Sequence, residues 1–574
     1  MLSTHQCGSS KSGLVMATFL LLVMILGLLQ LWLLHNTTPP PDGIAYFEVA
    51  DQIPRVGYGK ALPQHWSPLY PLYLLATRTV VPASLDRELW VTAAADTLLL
   101  VTLCVVVMLV FRSLGSLCWP DDPRPRLAWL SYGCGLAVFF AFAVLRVGLR
   151  MPDALVTSLA IATLWVWCQA TARQLPMRWT AAAGVLSGVT YLARANLLHW
   201  SLVVGVVACV LAPGVMLRRR FLAFAAFCLG LLLVFGPQSY VFSTARGNFT
   251  FGETGKLGFA DVYGAVWPGG VPAWPVVLEG GDVRIFTESR NVQFPGFYDP
   301  TREFDDAKIQ FSLQKLAWAI PRSVNTCLMG NWTPSFALMW PLLWAAWPPL
   351  LFGVGRWWRA PEPGEARAVL RWRLAWLLTL AGCAGVAMHL LTFCNGYYLP
   401  PYLIALLMGV CLAMLDVPRG GSGARDRQRA AQVAGIGFAV AATLLTLRYA
   451  RTAEVSGREA NLAEAKAMAE ALAPYPLSET GLRRIAAVGR DWLGLYGVRL
   501  SGSQLLADIP NPDVLHDPVR LAKAVDLLRG QGIVALLVPG GALRLDDHLR
   551  WRPIGSGAWA VVDLQRNDHH ESAP

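Results

Sequence analysis

Hydrophobic and polar positions in this chain alternate by whole segments. Apolar runs long enough to cross a bilayer lie near residues 14–34, 89–111, 127–145, 154–172, 179–193, 197–217, 221–242, 335–355, 374–393, 399–416 and 431–449. A helix rises 1.5 Å per residue, so roughly twenty apolar residues cover the hydrocarbon core of a membrane. Eleven spans are therefore expected, the weakest being 179–193, which is short and Gly-rich. The stretch 69–82 is open between a re-entrant or interfacial piece and a solvent loop. The first run exceeds a signal-peptide core and lacks a convincing small-residue cleavage site after it, so it is expected to remain as a helix.

Composition agrees with this pattern. Hydrophobic residues make up 55% and charged residues only 15% of 574 residues, and the mean hydropathy is +0.44, which excludes an ordinary soluble enzyme. The net charge of +11 is largely loop arginine. Clusters such as Arg218-Arg219-Arg220 and Arg425–Arg429 fall on one face of the expected topology, whereas the short loops of the other face hold only Arg146, Arg150 and Arg194. The positive-inside rule then puts the N-terminus in the cytoplasm and, after eleven spans, the C-terminus outside. The arginines sit at loop ends without aromatic interleaving, so no nucleic-acid partner is expected and membrane lipids are.

Two outer segments are too long to be connectors. Residues 243–331 are rich in Gly, Pro and aromatics, and long loops of this kind are usually functional. Residues 450–574 read as a small soluble α/β domain: a charged helix near 454–472, strands near 485–488, 533–538 and 559–564, and a helix over 518–529. That last helix is well punctuated, with Asp517 as cap, Pro518 in its first turn and Gly530 and Gly532 beyond it. The domains expected are thus 1–449, membrane-spanning with outer loops 36–88 and 243–331, and 450–574, extracytoplasmic. The 11 cysteines do not form a disulfide framework. Only Cys327 and Cys394 are candidates for a bridge, with buried apolar packing as the alternative.

The chemistry gathers at the outer rim. Asp42, in Pro41-Asp42-Gly43, stands just beyond the first span and is followed by Tyr46 and Glu48, then by His65-Trp66-Ser67-Pro68-Leu69-Tyr70-Pro71. A carboxylate there can cap a helical turn or accept a proton. A second acidic group, Asp153, opens the fourth span within Arg150-Met151-Pro152-Asp153-Ala154-Leu155, where Arg150 can pair with it or face an anion. Arg194 follows the fifth span and can snorkel as an anchor or present a forked donor pair to a phosphodiester. Lys256, in the long loop, is a further phosphate candidate.

An Asp after the first span, a Tyr a few residues on, and a Ser-Pro-Leu-Tyr-Pro run together resemble the first outer loop of the C-class glycosyltransferases. These polytopic enzymes use polyprenyl-phosphate sugars and include the protein O-mannosyltransferases and the aminoarabinose transferases of lipid A. The resemblance implies a polytopic α-helical fold of about eleven spans and transfer of a sugar, with inversion, from a polyprenyl-phosphate donor to a hydroxyl of a protein, lipid or glycan. It implies Asp42 as general base and Asp153 as the second acidic residue. It places Tyr46, Glu48, His65, Trp66, Tyr70, Arg150, Arg194 and Lys256 at the substrate. No cofactor is firmly implied, although some members bind a divalent metal beside the second acid. The implied location is a bacterial inner or plasma membrane. One element departs from the family: Gly396, in Asn395-Gly396-Tyr397-Tyr398-Leu399-Pro400, stands where related enzymes carry an Arg, which leaves the donor open.

A polytopic transporter or lipid flippase would need intramembrane charges or broken spans in matching halves, and a non-catalytic envelope assembly protein would tolerate loss of Asp42. Both stand as alternatives. The topology is tested with reporter fusions: one after Thr452 should be active only outside the membrane and one at Gly421 only in the cytoplasm, and a cytoplasmic signal from the 452 fusion would remove the outer domain.

Overall fold

The computed structural model describes residues 3–321 with breaks, most of them within 253–310, then 365–391, 398–415, 423–539 with short breaks, and 551–565. Of the apolar runs, all but 335–355 fall on helices: α1 (Ser3–Leu34), α5 (Leu85–Cys118), α6 (Pro123–Val138), α7 (Asp153–Ala172), α8 (Met177–Ala193), α9 (Leu197–Leu211), α10 (Leu217–Arg246), α11 (Ala366–Leu390), α12 (Pro400–Leu415) and α13 (Gly423–Val455). The run 335–355 lies outside the described residues. Among the described residues, 7 helices are long and apolar enough to cross a membrane, and α9 and α12 are shorter apolar helices. The protein is an integral membrane protein.

The loop after α1 is itself helical: α2 (Pro41–Val56), the single turn α3 (Tyr58–Ala61) and α4 (Leu69–Val80). Pro41 at the first position of α2 needs no hydrogen-bonded N–H, and Asp42 in the first turn complements the positive end of the helix dipole. The stretch open between loop and interfacial piece is thus α4, which carries Tyr70 on its buried side. Helix α6 runs on into a buried π-helical stretch, Phe139–Leu145.

The helices pack tightly where glycines let backbones meet. A Cβ on Gly135 of α6 would lie 1.8 Å from the carbonyl oxygen of Gly435 on α13, and one on Gly435 would lie 2.4 Å from the carbonyl of Ser131. Small residues at such crossings replace the hydrophobic drive that lipid does not supply.

Beyond the membrane stands a 7-stranded sheet of order β2-β3-β6-β5-β7-β9-β8. Its core strands are β5 (Arg483–Val488), β6 (Ser503–Ile509) and β7 (Ala535–Pro539), with β5 parallel to both β6 and β7. The crossovers contain α15 (Trp492–Leu500) and α16 (Pro518–Gly530), and β8 (Trp551–Ile554) and β9 (Trp559–Asp563) close one edge as an antiparallel hairpin. Asp517 caps α16 by accepting from Val519 N and Arg520 N, at 3.0 and 3.1 Å. Helix α14 (Arg458–Leu472) packs on the sheet.

The other edge of that sheet comes from elsewhere in the chain. Strands β2 (Val276–Val277) and β3 (Arg284–Ile285) belong to the long outer loop, and β3 pairs antiparallel with β6 through Arg284 opposite Asp508 and Ile285 opposite Ala507. A second pairing within the loop joins β1 (Ala265–Val266) to β4 (Lys308–Ile309). The loop and the C-terminal segment therefore share one sheet, and a boundary at residue 450 cuts through it.

The glycine crossing is tested by Gly135→Ala. A methyl group overlapping a backbone carbonyl must push α6 from α13, at a cost of about 1–3 kcal/mol. Thermal unfolding of the detergent-solubilised protein should shift down by several degrees, whereas Gly13→Ala, which meets nothing within 4 Å, should leave it unchanged.

Candidate functional site

At 100° per residue, helix α2 has two opposed faces. Asp42 and Tyr46 lie within 40° of each other on one, and Ile44, Phe47, Glu48 and Asp51 cluster on the other. Gly43 lets the first turn settle against the loop before α7: a Cβ there would sit 3.2 Å from the Arg150 carbonyl oxygen and 3.3 Å from its Cβ. Arg150 has φ 50°, a left-handed conformation unusual outside glycine.

Asp42 and Tyr46 face a site assembled from three other regions. Arg194, just beyond α8, reaches Asp153 at the start of α7, with Nη2 2.6 Å from Oδ1; the Asp153 side chain is buried and that of Arg194 is 13% exposed. The same guanidinium lies 4.2 Å from the centre of the Tyr398 ring. The backbone beside it is pinned by the Ser-Pro run, since Ser67 Oγ accepts from Ala195 N at 3.0 Å. Tyr46 forms an aromatic wall with Trp66, centroids 4.8 Å apart, and with Tyr70, 5.1 Å apart and edge-on. His65 stands edge-on to Trp66 at 4.2 Å. Behind Arg194, His389 and Trp200 pack against Tyr402.

The electrostatics separate these groups. Asp42 makes no ion pair among the described residues, and its carboxyl is pushed up to about 6 by burial first and by the Asp153 carboxylate second, with Arg194 pulling the other way. Burial also raises the Tyr46 hydroxyl well above its usual range and lowers His65 to about 4, so this imidazole is neutral. Asp153 keeps Oδ2 without a hydrogen-bond partner among the described residues, beside a small cavity that it lines with Asp96 and Arg150.

The structure gives three of the expected site residues partners of their own. Arg150 pairs with Asp96 and not with Asp153. Its fully buried side chain lies 3.6 Å from Asp96 Oδ2 and donates to the carbonyls of Leu34, His35 and Leu89 at 3.2, 3.1 and 3.1 Å. It ties the end of α1 to the start of α5 because a desolvated guanidinium needs that many acceptors. Glu48 faces away from Asp42, accepting from Gln293 N at 3.0 Å and Gln52 Nε2 at 3.3 Å, so it holds the outer loop. Tyr70 donates to Asp96 Oδ1 at 2.8 Å and serves the wall from that position. Lys256, Cys327, Cys394 and Asn395–Tyr397 lie outside the described residues.

The sequence reading passed over Asp96, although an acid inside an apolar run is a signal in itself, and also Tyr398, Tyr402 and His389. Among the described residues no group of three or more His, Cys, Asp or Glu is placed to hold a metal ion. Asp153, the acid beside which some family members bind one, is paired with Arg194. No step is derived through a metal.

No protein-family profile matches the chain, and no curated protein matches it in sequence. Among solved structures it is similar to ArnT from Cupriavidus metallidurans in the apo state, at 14% identity with a TM-score of 0.53, and to the same protein bound to undecaprenyl phosphate, at 15% identity with a TM-score of 0.51. Each similarity covers 95% of this chain and 97% of that one. The chain has the ArnT fold. That agrees with the polytopic C-class architecture expected from Asp42 and the Ser-Pro-Leu-Tyr-Pro run.

The different parts of the two arginines are testable. Removing Arg150 leaves buried Asp96 without its cation, with the Tyr70 hydroxyl as its remaining donor, and takes one donor from each of three carbonyls, which costs about 3–5 kcal/mol, so Arg150→Ala should fail to yield a monodisperse detergent-solubilised protein. Arg194→Ala strands Asp153 as well, but at a position where the arginine side chain is 13% exposed and water can enter, so it should yield folded protein with a smaller loss of thermal stability. Equal stability of the two variants would remove the distinction.

Proposed function

We propose that this protein transfers a sugar from a polyprenyl-phosphate donor to an acceptor hydroxyl at the outer face of the membrane, with Asp42 as general base and Arg194 at the donor phosphate. The observation that carries this reading is the convergence of Asp42, Tyr46, the Ser67 turn and the Asp153–Arg194 pair in one buried site at the outer ends of the helices. The ArnT fold supports it, and that protein's capture of undecaprenyl phosphate supports a polyprenyl-phosphate donor here.

In the step proposed, the acceptor O–H gives its proton to a carboxylate oxygen of Asp42 as the acceptor oxygen attacks the anomeric carbon from the face opposite the phosphate. The anomeric C–O bond breaks, its electron pair leaves on the polyprenyl phosphate, and the anomeric configuration inverts. The leaving phosphate is stable as an anion, so no general acid is required. Asp153 fixes the Arg194 guanidinium, whose planar fork suits phosphate oxygens. The aromatic wall of Tyr46, Trp66 and Tyr70 supplies an apolar surface for a sugar ring. Cytoplasmic placement of the N-terminus and a bacterial inner membrane complete the reading.

The base is tested by Asp42→Asn in membranes supplied with a radiolabelled polyprenyl-phosphate sugar at matched expression. Loss of proton abstraction should lower the rate about 10²–10⁴-fold, well beyond what a lost helix-end contact of about 1 kcal/mol explains. Because the ionised form is the active one and the carboxyl of the free protein is pushed up to about 6, wild-type kcat/KM should rise with pH through that value and fall about tenfold per unit below it. A rate independent of pH between 5 and 7, or near wild-type transfer by Asp42→Asn, would move the base elsewhere.

A further inference from the structure

The face of α2 turned away from the site is gripped by the C-terminal domain. Arg499, on α15, is 1% exposed and donates from Nε and Nη2 to Glu88 at 2.8 and 2.6 Å, and from Nη2 to Asp51 at 2.7 Å. Arg78 on α4 closes the cluster, 2.5 Å from Asp51 and 2.6 Å from Glu88. The Phe47 ring meets both guanidiniums, its centre 5.1 Å from Arg78 and 5.3 Å from Arg499. Ile44 reaches past them into the apolar core formed by Leu495 and Val498 of α15, Met468 of α14 and Ile485 of β5. Gln293 of the outer loop completes the grip. Its N–H donates to Glu48, its amide donates to the Arg499 carbonyl at 3.3 Å, and its own carbonyl accepts from Leu505 N at 2.8 Å.

Ile44 and Asp42 are two residues apart on a rigid helix, so whatever fixes the first fixes the second. We infer that Arg499 is a positioning residue: it locks α2 onto the C-terminal domain, and so sets where the Asp42 carboxylate stands relative to the Asp153–Arg194 pair. Three further observations point to this helix rather than to a general role in stability. The carboxylates that accept from the Arg499 side chain lie outside its own domain, on α2 and at the start of α5. The contacts fall on the face of α2 opposite Asp42 and Tyr46, where they leave the site open. The covalent route from α15 to α2 is long, 448 residues separating Arg499 from Asp51, so α2 is held to the domain by these contacts and not by chain connection.

The inference rests on the transfer reading for its kinetic consequence and on geometry alone for the rest, and the experiment separates the two. In the transfer assay, Arg499→Lys keeps the charge and loses the fork. It should lower kcat by roughly 10–100-fold, the scale of a misplaced catalytic group, with the donor KM within about twofold of wild type. In an Asp42→Asn background the same change should lower the residual rate by less than about twofold, because a residue that acts through Asp42 has nothing left to position. Equal losses in both backgrounds, or an unchanged kcat, would overturn the positioning role. Hydrogen–deuterium exchange gives the arm that needs no activity. In Arg499→Met, amides of residues 41–48 should exchange at least about tenfold faster, while those of β5 and β6 keep wild-type protection. Unchanged exchange over 41–48, or loss of protection confined to 483–509, would overturn the inference, and a wild-type protein that transfers nothing would overturn the transfer reading while leaving the exchange result to decide on Arg499.

Discussion

Ionised side chains at the rim of a membrane are costly to bury unless each meets a partner, and this constraint shapes the half of the protein where the loop after α1 meets the C-terminal domain. Arg150 is buried against Asp96 and three carbonyls, Arg194 against Asp153, and Arg78 and Arg499 against Asp51 and Glu88. Each pairing clamps points that lie apart along the chain: the end of α1 to α5, the start of α7 to the end of α8, and the C-terminal domain to the loop after α1. Asp42 stands apart from these pairs. It has no ion-pair partner among the described residues, and burial first and the Asp153 carboxylate second hold its proton up to about pH 6, which suits the base of the proposed transfer.

The two faces of α2 turn those pairings into an architecture. One face is lined by the aromatic wall and the Asp153–Arg194 pair, the other by Ile44, Phe47, Glu48 and Asp51 inserted between the domain and the outer loop. The domain is no appendage, because its sheet takes two strands from the long loop and its α15 takes the charge cluster of α2 and α5. A membrane-embedded helix bundle and a soluble α/β sheet are thereby referenced to one four-turn helix. Phe47 illustrates the economy of the arrangement, since its ring packs in the membrane-side core and also meets two guanidiniums.

What could be read from the sequence follows the range of the signal. Apolar runs are local, and so the membrane helices from α1 to α13 were legible. The Asp517–Pro518 start of α16 was legible for the same reason, as both residues act on the turn they begin. The structure puts Asp42 and Tyr46 on one face of α2, toward Arg194, a placement that needed the helix to be seen. Partners distant in the chain left no such trace. Nothing near Arg150 announces Asp96, and nothing near Arg499 announces Glu88. Glu48 looked like a site residue because it is close to Asp42 in sequence, but six residues on a helix turn it by 240° and away from the site. Strands β2 and β3 are two residues each, too short for an alternating pattern to show.

Under the transfer reading, the placement of charge also accounts for why one acid and one arginine suffice. Before the step the negative charge resides on Asp42 and on the donor phosphodiester. When Asp42 takes the acceptor proton it becomes neutral, and the departing phosphate gains the unit of charge that Asp42 gave up. Negative charge therefore moves from a poorly stabilised carboxylate toward the guanidinium that Asp153 already holds in place. A fixed cation at the destination favours the transition state over the ground state without having to reorganise. Releasing Arg194 from Asp153 would lose that preorganisation even with every group still present, so the buried pair contributes to rate through orientation and not through binding strength alone.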